Sequence, residues 1–116
     1  MTDRKIKWVG DSRKVIIGFP KAIKEQIGYA LFEAQSGRKA ASAKPLKGID
    51  SGIFEIVADH IGNTYRAVYA VKLGDDLYVL HAFQKKSKSG IKTPKHETDL
   101  IKDRLAKIKE KLGIRT

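Results

Sequence analysis

One arginine and a run of lysines are the residues with the most chemistry to offer. Arg66 sits in the middle of the apolar stretch YRAVYAV, and HAFQKKSKSGIKTPKHE (residues 81–97) carries Lys85, Lys86, Lys88, Lys92 and Lys95. Alternation along a strand would put Tyr65, Ala67, Tyr69 and Val71 on one face and Arg66, Val68, Ala70 and Lys72 on the other. A mid-strand arginine has to snorkel, pair or face a site. Its candidate partners are Glu55 and Asp59 on the preceding apolar run. Guanidinium and ammonium groups at one end of a sheet would form a phosphate clamp. The helix start expected at Thr93 would add free N–H groups to it. The bland reading of the lysine run is a solvated turn.

His60, His81 and His96 are too scattered for metal-ligand spacing, and no phosphate-loop or dinucleotide-binding pattern is present. No metal and no cofactor are therefore expected. His81 alternates with Val79 and Phe83, which suits a partly buried, satisfied histidine. His96, in the first turn of the last helix and beside the lysines, is the better candidate for proton transfer, or else a plain surface histidine. The aromatics are core by default, although one exposed tyrosine on the basic face could stack on a base.

The elements that must position these groups read as follows. Ile6 to Val9 could form a first strand, with Asp11 or Ser12 capping a helical turn. Pro20 suits the first turn of an amphipathic helix with Ile23, Ile27, Ala30, Leu31 and Ala34 on its apolar side and an end near Ser36-Gly37. Gly28, inside that helix, would permit close packing. Arg38 to Lys44 is a second short helix or a loop. GIFEIVAD (52–59), TYRAVYAV (64–71) and LYVLHAFQ (77–84) read as three antiparallel strands, with His60-Ile61-Gly62-Asn63 as a turn and Gly62-Asn63 favouring a hairpin. The last helix, 93–113, has Thr93 as N-cap, Pro94 as its first residue, a buried stripe of Leu100, Ile101, Leu105, Ile108 and Leu112, and Gly113 as its stop. The expected fold is α+β, a small antiparallel sheet of three to four strands packed against N-terminal helices with a C-terminal helix. Helices would cover one sheet face and leave the other open for binding.

The 116 residues suit a single domain, 1–116. Without cysteine there is neither a disulfide nor a thiolate site. No stretch is long and apolar enough for a membrane span, and the polar N-terminus does not read as a signal peptide, so a cytoplasmic protein with no membrane partner is expected. The net charge is +11. Residues 85–116 hold eleven Lys and Arg against four Asp and Glu, a net +7 in that segment. Such a field favours a polyanion, either a nucleic acid or an acidic protein.

GIFEIVADHIGNTYRAVYAV, LYVLHAFQKKS and KTPKHE together resemble the phage-derived, HigB-like branch of the RelE toxin superfamily. The resemblance covers about residues 44–112 and rests on a glutamate-bearing strand, a YR strand, an LHxFxKK strand end and a KTP helix start. It implies a RelE-like fold and a ribosome-dependent mRNA endonuclease, the toxin of a type II toxin–antitoxin pair. The partners it implies are a helix-turn-helix-type antitoxin, the ribosome and mRNA. It further implies metal-free cleavage by the RNA's own 2′-hydroxyl. By position, Arg66, Lys85 and Lys86 become phosphate and transition-state contacts, and His96 a proton-transfer candidate. Lys88, Lys92, Lys95 and Tyr65 become RNA-binding candidates. Two departures stand out: Val57 where many relatives carry an arginine, and a longer stretch, Ser87 to Ile91, between the KK and KTP elements. The alternative is a non-catalytic basic phage-derived module that binds nucleic acid or an acidic protein.

Overall fold

The computed structural model describes residues 3–85 and 93–114. Its elements run β1 (Ile6–Trp8), α1 (Ser12–Ile17), α2 (Lys21–Gln35), β2 (Ala43–Pro45), β3 (Ile53–His60), β4 (Asn63–Leu73), β5 (Asp76–Lys85) and α3 (Lys95–Leu112). The class is α+β as expected, but the sheet has five strands, in the order β1-β5-β4-β3-β2. It is also mixed, because β1 lies parallel to β5 while every other pair is antiparallel. Everything from α1 to β4 lies between β1 and β5 in the chain, a connection long enough for a parallel pair, which a tight hairpin is not.

The fifth strand comes from the segment expected to be a helix or a loop. Ala43 pairs with Ile56 and Pro45 with Phe54, so this segment edges the sheet. Three residues carry too little pattern to announce a strand. Proline is tolerated here because an edge strand can leave one N–H unpaired.

β4 and β5 match the expected strands and extend them by one or two residues at each end, and β3 is the expected strand shifted one residue on. The first hairpin turns at His60-Ile61-Gly62-Asn63 as expected, with Ile61-Gly62 rather than Gly62-Asn63 as its two central residues. His60 pairs with Asn63, and Ile61 and Gly62 take φ of 47° and 75°. Two left-handed residues in a two-residue loop follow the right-handed twist of the flanking strands. Ile61, β-branched and 84% exposed, sits there at a local conformational cost.

Helices cover both faces of the sheet, not one. On the first face α1 and α2 bury Ile16, Ile23, Ile27, Ala30 and Leu31 against Ile56, Ala58, Tyr65, Ala67, Tyr69, Leu77 and Val79. On the second, α3 sets Ile101, Leu105 and Ile108 against Ile53, Val68, Ala70 and Leu80. Of the expected α3 stripe, Leu100 is half-buried and Leu112 is 42% exposed. Gly28 is exposed, and a Cβ there would meet nothing within 4 Å, so it serves no close contact. Gly113, at φ 72°, does end α3 in the left-handed conformation that glycine adopts without strain.

Candidate functional site

α3 covers only part of the second face. Beyond its first turn, that face carries Lys44 on β2, Glu55, Val57 and Asp59 on β3, Thr64 and Arg66 on β4, and Phe83 and Lys85 on β5. Their register fixes the shared face: Lys44 pairs with Glu55, Glu55 with Val68, Val57 with Arg66, Arg66 with Phe83, and Thr64 with Lys85. A bulge between Tyr69 and Val68, where β5 inserts Leu80, keeps His81 on the same side as Val68.

Arg66 is the centre of this region. It is only 3% exposed, and its Nη1 donates to Glu55 Oε1 at 3.0 Å. Of the two carboxylates open to it in the sequence, Glu55 is the partner, while Asp59 Oδ1 accepts the Thr64 hydroxyl at 2.8 Å. Glu55 is itself 2% exposed, and its Oε2 accepts the Thr93 hydroxyl at 2.8 Å. A buried charge is tolerated when it is paired and its remaining lone pairs are engaged. Both conditions hold for this carboxylate.

That use of Thr93 changes the expected helix start. α3 begins at Lys95 with Pro94 as N-cap, and no side chain caps it. Thr93 lies one residue further out, and its hydroxyl reaches across to β3. The N–H groups of Glu97 and Thr98 turn back to the Pro94 carbonyl.

Lys85, the last residue of β5, is half-buried beside this group. Partial desolvation, then the charge of Arg66, hold its ammonium below the ordinary lysine value; Glu55 opposes this and Lys44 adds to it. An amine shifted in that direction gives up its proton more readily near neutral pH.

The other sequence candidates are not all brought together. Tyr65 lies on the opposite face, 6% exposed, with its ring edge-on to Phe19 at 4.9 Å, so it belongs to the core under α1 and α2. His96 is on the surface at the start of α3, with Nε2 3.4 Å from Glu97 Oε2. Lys95 is engaged with Asp99 one turn on, Nζ to Oδ2 2.8 Å, and its ammonium is held above its usual value first by that hydrogen bond. Lys86, Lys88 and Lys92 lie outside the described residues.

Four residues that the sequence reading gave no role in the site form a second polar group under α3. His81 Nε2 is 2.7 Å from Glu97 Oε1, and its Nδ1 is 3.3 Å from Arg104 Nη1. Arg104 also donates to the Leu80 carbonyl at 2.8 Å and to Asp11 Oδ1 at 3.0 Å. With Arg104 donating to Nδ1, the neutral ring would place its proton on Nε2, toward Glu97. The expectation of a satisfied, partly buried His81 holds, at 6% exposure. The signal for its partners was spacing: Glu97 and Arg104 fall four and three residues either side of Ile101, alongside the apolar stripe.

Among the described residues the concave clefts lie elsewhere. One of about 390 Å³ is bounded by Asp50, Lys72, Leu105 and Lys109 at the far end of α3. In the Arg66–Lys85 region Arg66 and Phe83 are buried, and Lys85 is half-buried at its margin. No group of three or more metal-ligating side chains occurs among the described residues.

A family model described as phage derived protein Gp49-like (DUF891) matches residues 14–106. The chain belongs to this Gp49-like family. It is a family related to toxins of the RelE/HigB type and associated with toxin–antitoxin pairs. The match takes in α1 through most of α3, and so every described residue of the Arg66 and His81 groups except Asp11. No curated protein matches the chain. In this Gp49-like chain no helix among the described residues is long and apolar enough to cross a membrane.

Proposed function

We propose that this Gp49-like protein is the toxin of a type II pair and cuts mRNA on the ribosome. In the reaction the 2′-hydroxyl oxygen attacks the adjacent phosphorus, its proton passes to a base, and the 5′-oxygen leaves with a proton from an acid. The product ends are a 2′,3′-cyclic phosphate and a 5′-hydroxyl. The observation that carries the reading is the half-buried Lys85 at the end of β5 beside Arg66, its ammonium held below the ordinary lysine value by partial desolvation and the charge of Arg66. Lys85 is the group to approach the phosphate or the attacking hydroxyl. Arg66, behind it, supplies fixed positive charge where negative charge develops. His96 is the exposed candidate for the second proton transfer. A helix-turn-helix antitoxin and a cytoplasmic site of action go with this reading.

Induced expression followed by mapping of mRNA 5′ ends tests it. Growth arrest with new 5′ ends inside translated frames is expected, and Lys85→Gln should relieve both. Arrest without new ends, or full cleavage by Lys85→Gln, would reject it.

A second reading draws on the burial of Arg66. A guanidinium 3% exposed and paired to a carboxylate is built as a structural ion pair, and a non-catalytic basic module would need nothing more from it. That reading predicts salt-sensitive nucleic-acid binding with no cleavage when ribosomes are present.

A further inference from the structure

The outer side of α2 carries two aromatic residues that the fold does not bury. Tyr29 is 61% and Phe32 53% exposed, one helical turn apart. Gly28 stands beside them, four residues before Phe32, exposed and with nothing within 4 Å of where a Cβ would lie. Glycine inside a helix is unfavourable, and here no neighbour in the chain requires it. Exposed apolar residues scattered singly are ordinary on a protein surface. A hollow next to two aromatic rings on one helix face is instead a shape that another helix can fill.

The charges of α2 run against its own dipole. A helix favours acids near its start and bases near its end. α2 has no acid in its first turn and no base in its last; Lys21 and Lys24 stand near its start, and Glu33 near its end. An antiparallel copy of the same helix supplies the opposite run of charge. With Gly28 of one copy over Tyr29 of the other, Lys24, four residues back, falls over Glu33, four residues on. A twofold axis repeats both contacts. Arg38 already donates to Glu33, Nη2 to Oε2 2.9 Å, and a carboxylate has room for a further donor. The net charge favours the same surface. Residues 21–38 hold Lys21, Lys24 and Arg38 against Glu25 and Glu33, only +1 of the chain's +11. Two copies that meet there bring little of the remaining charge together.

We propose that the outer face of α2 docks a second copy of this chain, the two α2 helices crossing antiparallel at Gly28 with Tyr29 and Phe32 of each packed against the other. Four rings of about 150–250 Å² each, half of it now exposed, take about 300–500 Å² of aromatic surface out of water. Aromatic surface of that size suits a contact at the ~1,200 Å² low end of specific interfaces. The dimer is therefore weak and forms as concentration rises. It does not depend on RNA binding or cleavage.

Sedimentation equilibrium of the full chain, from roughly 10 μM to 1 mM, tests this. The apparent mass should climb from one chain toward two. Phe32→Ala should raise the dissociation constant about tenfold or more. Gly28→Leu is the sharper variant. It adds apolar surface and a better helix former, and the monomer has space for the side chain. By filling the hollow it should nevertheless abolish association. Lys24→Glu suits the helix dipole better but sets a second carboxylate against Glu33. It should weaken the dimer while the dilute monomer resists urea at least as well as the wild type. Ile61→Ser removes a more exposed apolar residue at the hairpin tip and should change nothing. A wild type still monomeric at the highest concentration overturns the proposal. Gly28→Leu associating as strongly as the wild type, or more so, also overturns it, because the face would then be sticky without being shaped. Unchanged association in Phe32→Ala or Lys24→Glu, or equal weakening in Ile61→Ser, does the same, since contact would not run through this crossing.

Discussion

The hydroxyl of Thr93 donates to Glu55 Oε2 across 2.8 Å, although 38 residues separate the two in the chain. Glu55 Oε1 holds Arg66 at 3.0 Å. The start of α3 is thereby tied through one buried carboxylate to the arginine of β4. A local segment and a mid-sheet charge are set by the same two oxygens.

The buried pair predicts that single and double replacements behave differently. Arg66→Ala leaves Glu55 charged and buried without its partner and should cost about 3–5 kcal/mol. Arg66→Leu combined with Glu55→Leu removes both charges and should fall well short of the sum of the singles. Urea denaturation of the singles and the double measures the coupling. Additive losses would show that the pair is not energetically linked. The double variant is also the sound functional probe, because loss of growth arrest in a folded protein would be a loss of the charge and not of the fold.

Thr93→Val keeps the shape of the side chain and removes the donor. A hydrogen bond to a charged acceptor is worth about 1.5–3 kcal/mol, and this one is half-buried. Thr93→Val should lose an amount in the lower part of that range, and Thr93→Ser should retain most of the stability. If Arg66 is positioned through Glu55, growth arrest should weaken in Thr93→Val and persist in Thr93→Ser. Equal stability of the two variants would remove Thr93 from the arrangement.

What could be read in advance follows from how many residues carried each signal. β4 was legible from the β-branched and aromatic residues of TYRAVYAV over eight positions, and the two-residue strand period placed Tyr65 and Arg66 on opposite faces. α2 was legible from five apolar residues at helical spacing, all of them buried. β2 was not, since Ala43, Lys44 and Pro45 have no pattern of their own and are held by β3. Thr93 was misread as a helix cap because capping rules consider only the nearest backbone. Here a carboxylate from another strand competes for the hydroxyl, and no local rule contains Glu55. The coverage of the second face was missed for a related reason: the apolar stripe of α3 shows that it packs, but not against which side of the sheet.

Lys85 should titrate below 10.5, and salt should restore only part of the shift. The repulsion from Arg66 and Lys44 is screened by added salt, whereas partial desolvation, the larger cause, is not. Heteronuclear NMR of the lysine side chains across a pH series at low and high salt would follow both. The sign for stability follows from linkage. The unfolded chain holds this proton more tightly than the folded one, so the shift opposes folding at neutral pH. Its contribution improves as pH rises from the folded value toward 10.5. A midpoint at or above 10.5 would remove the physical basis for Lys85 as a proton acceptor.

Arg104 should matter more than a lysine or arginine on a helix surface ordinarily does. It joins three elements, donating to the Leu80 carbonyl at the β5 bulge, contacting the His81 ring and pairing with Asp11 ahead of α1. Its guanidinium also fills the space beside Gly10, where an added Cβ would lie 2.7 Å from the Arg104 side chain. Arg104→Met should therefore cost about 1–3 kcal/mol, chiefly by leaving the Leu80 carbonyl without that donor. It should also change the acid limb of stability. The hydrogen bond from Arg104 first, and its charge second, hold the Asp11 carboxyl below its ordinary value of 3.8. A depressed folded value contributes stability that is present above 3.8 and lost as pH falls through the folded value. Because Asp11 is largely exposed, solvent screens this contribution and it should be small. In Arg104→Met the Asp11 midpoint should move up toward 3.8, and the acid-side slope assigned to it should vanish. An Asp11 titration indifferent to the substitution would mean that the contact does not persist in solution, and that α1, β5 and α3 are not joined through this side chain.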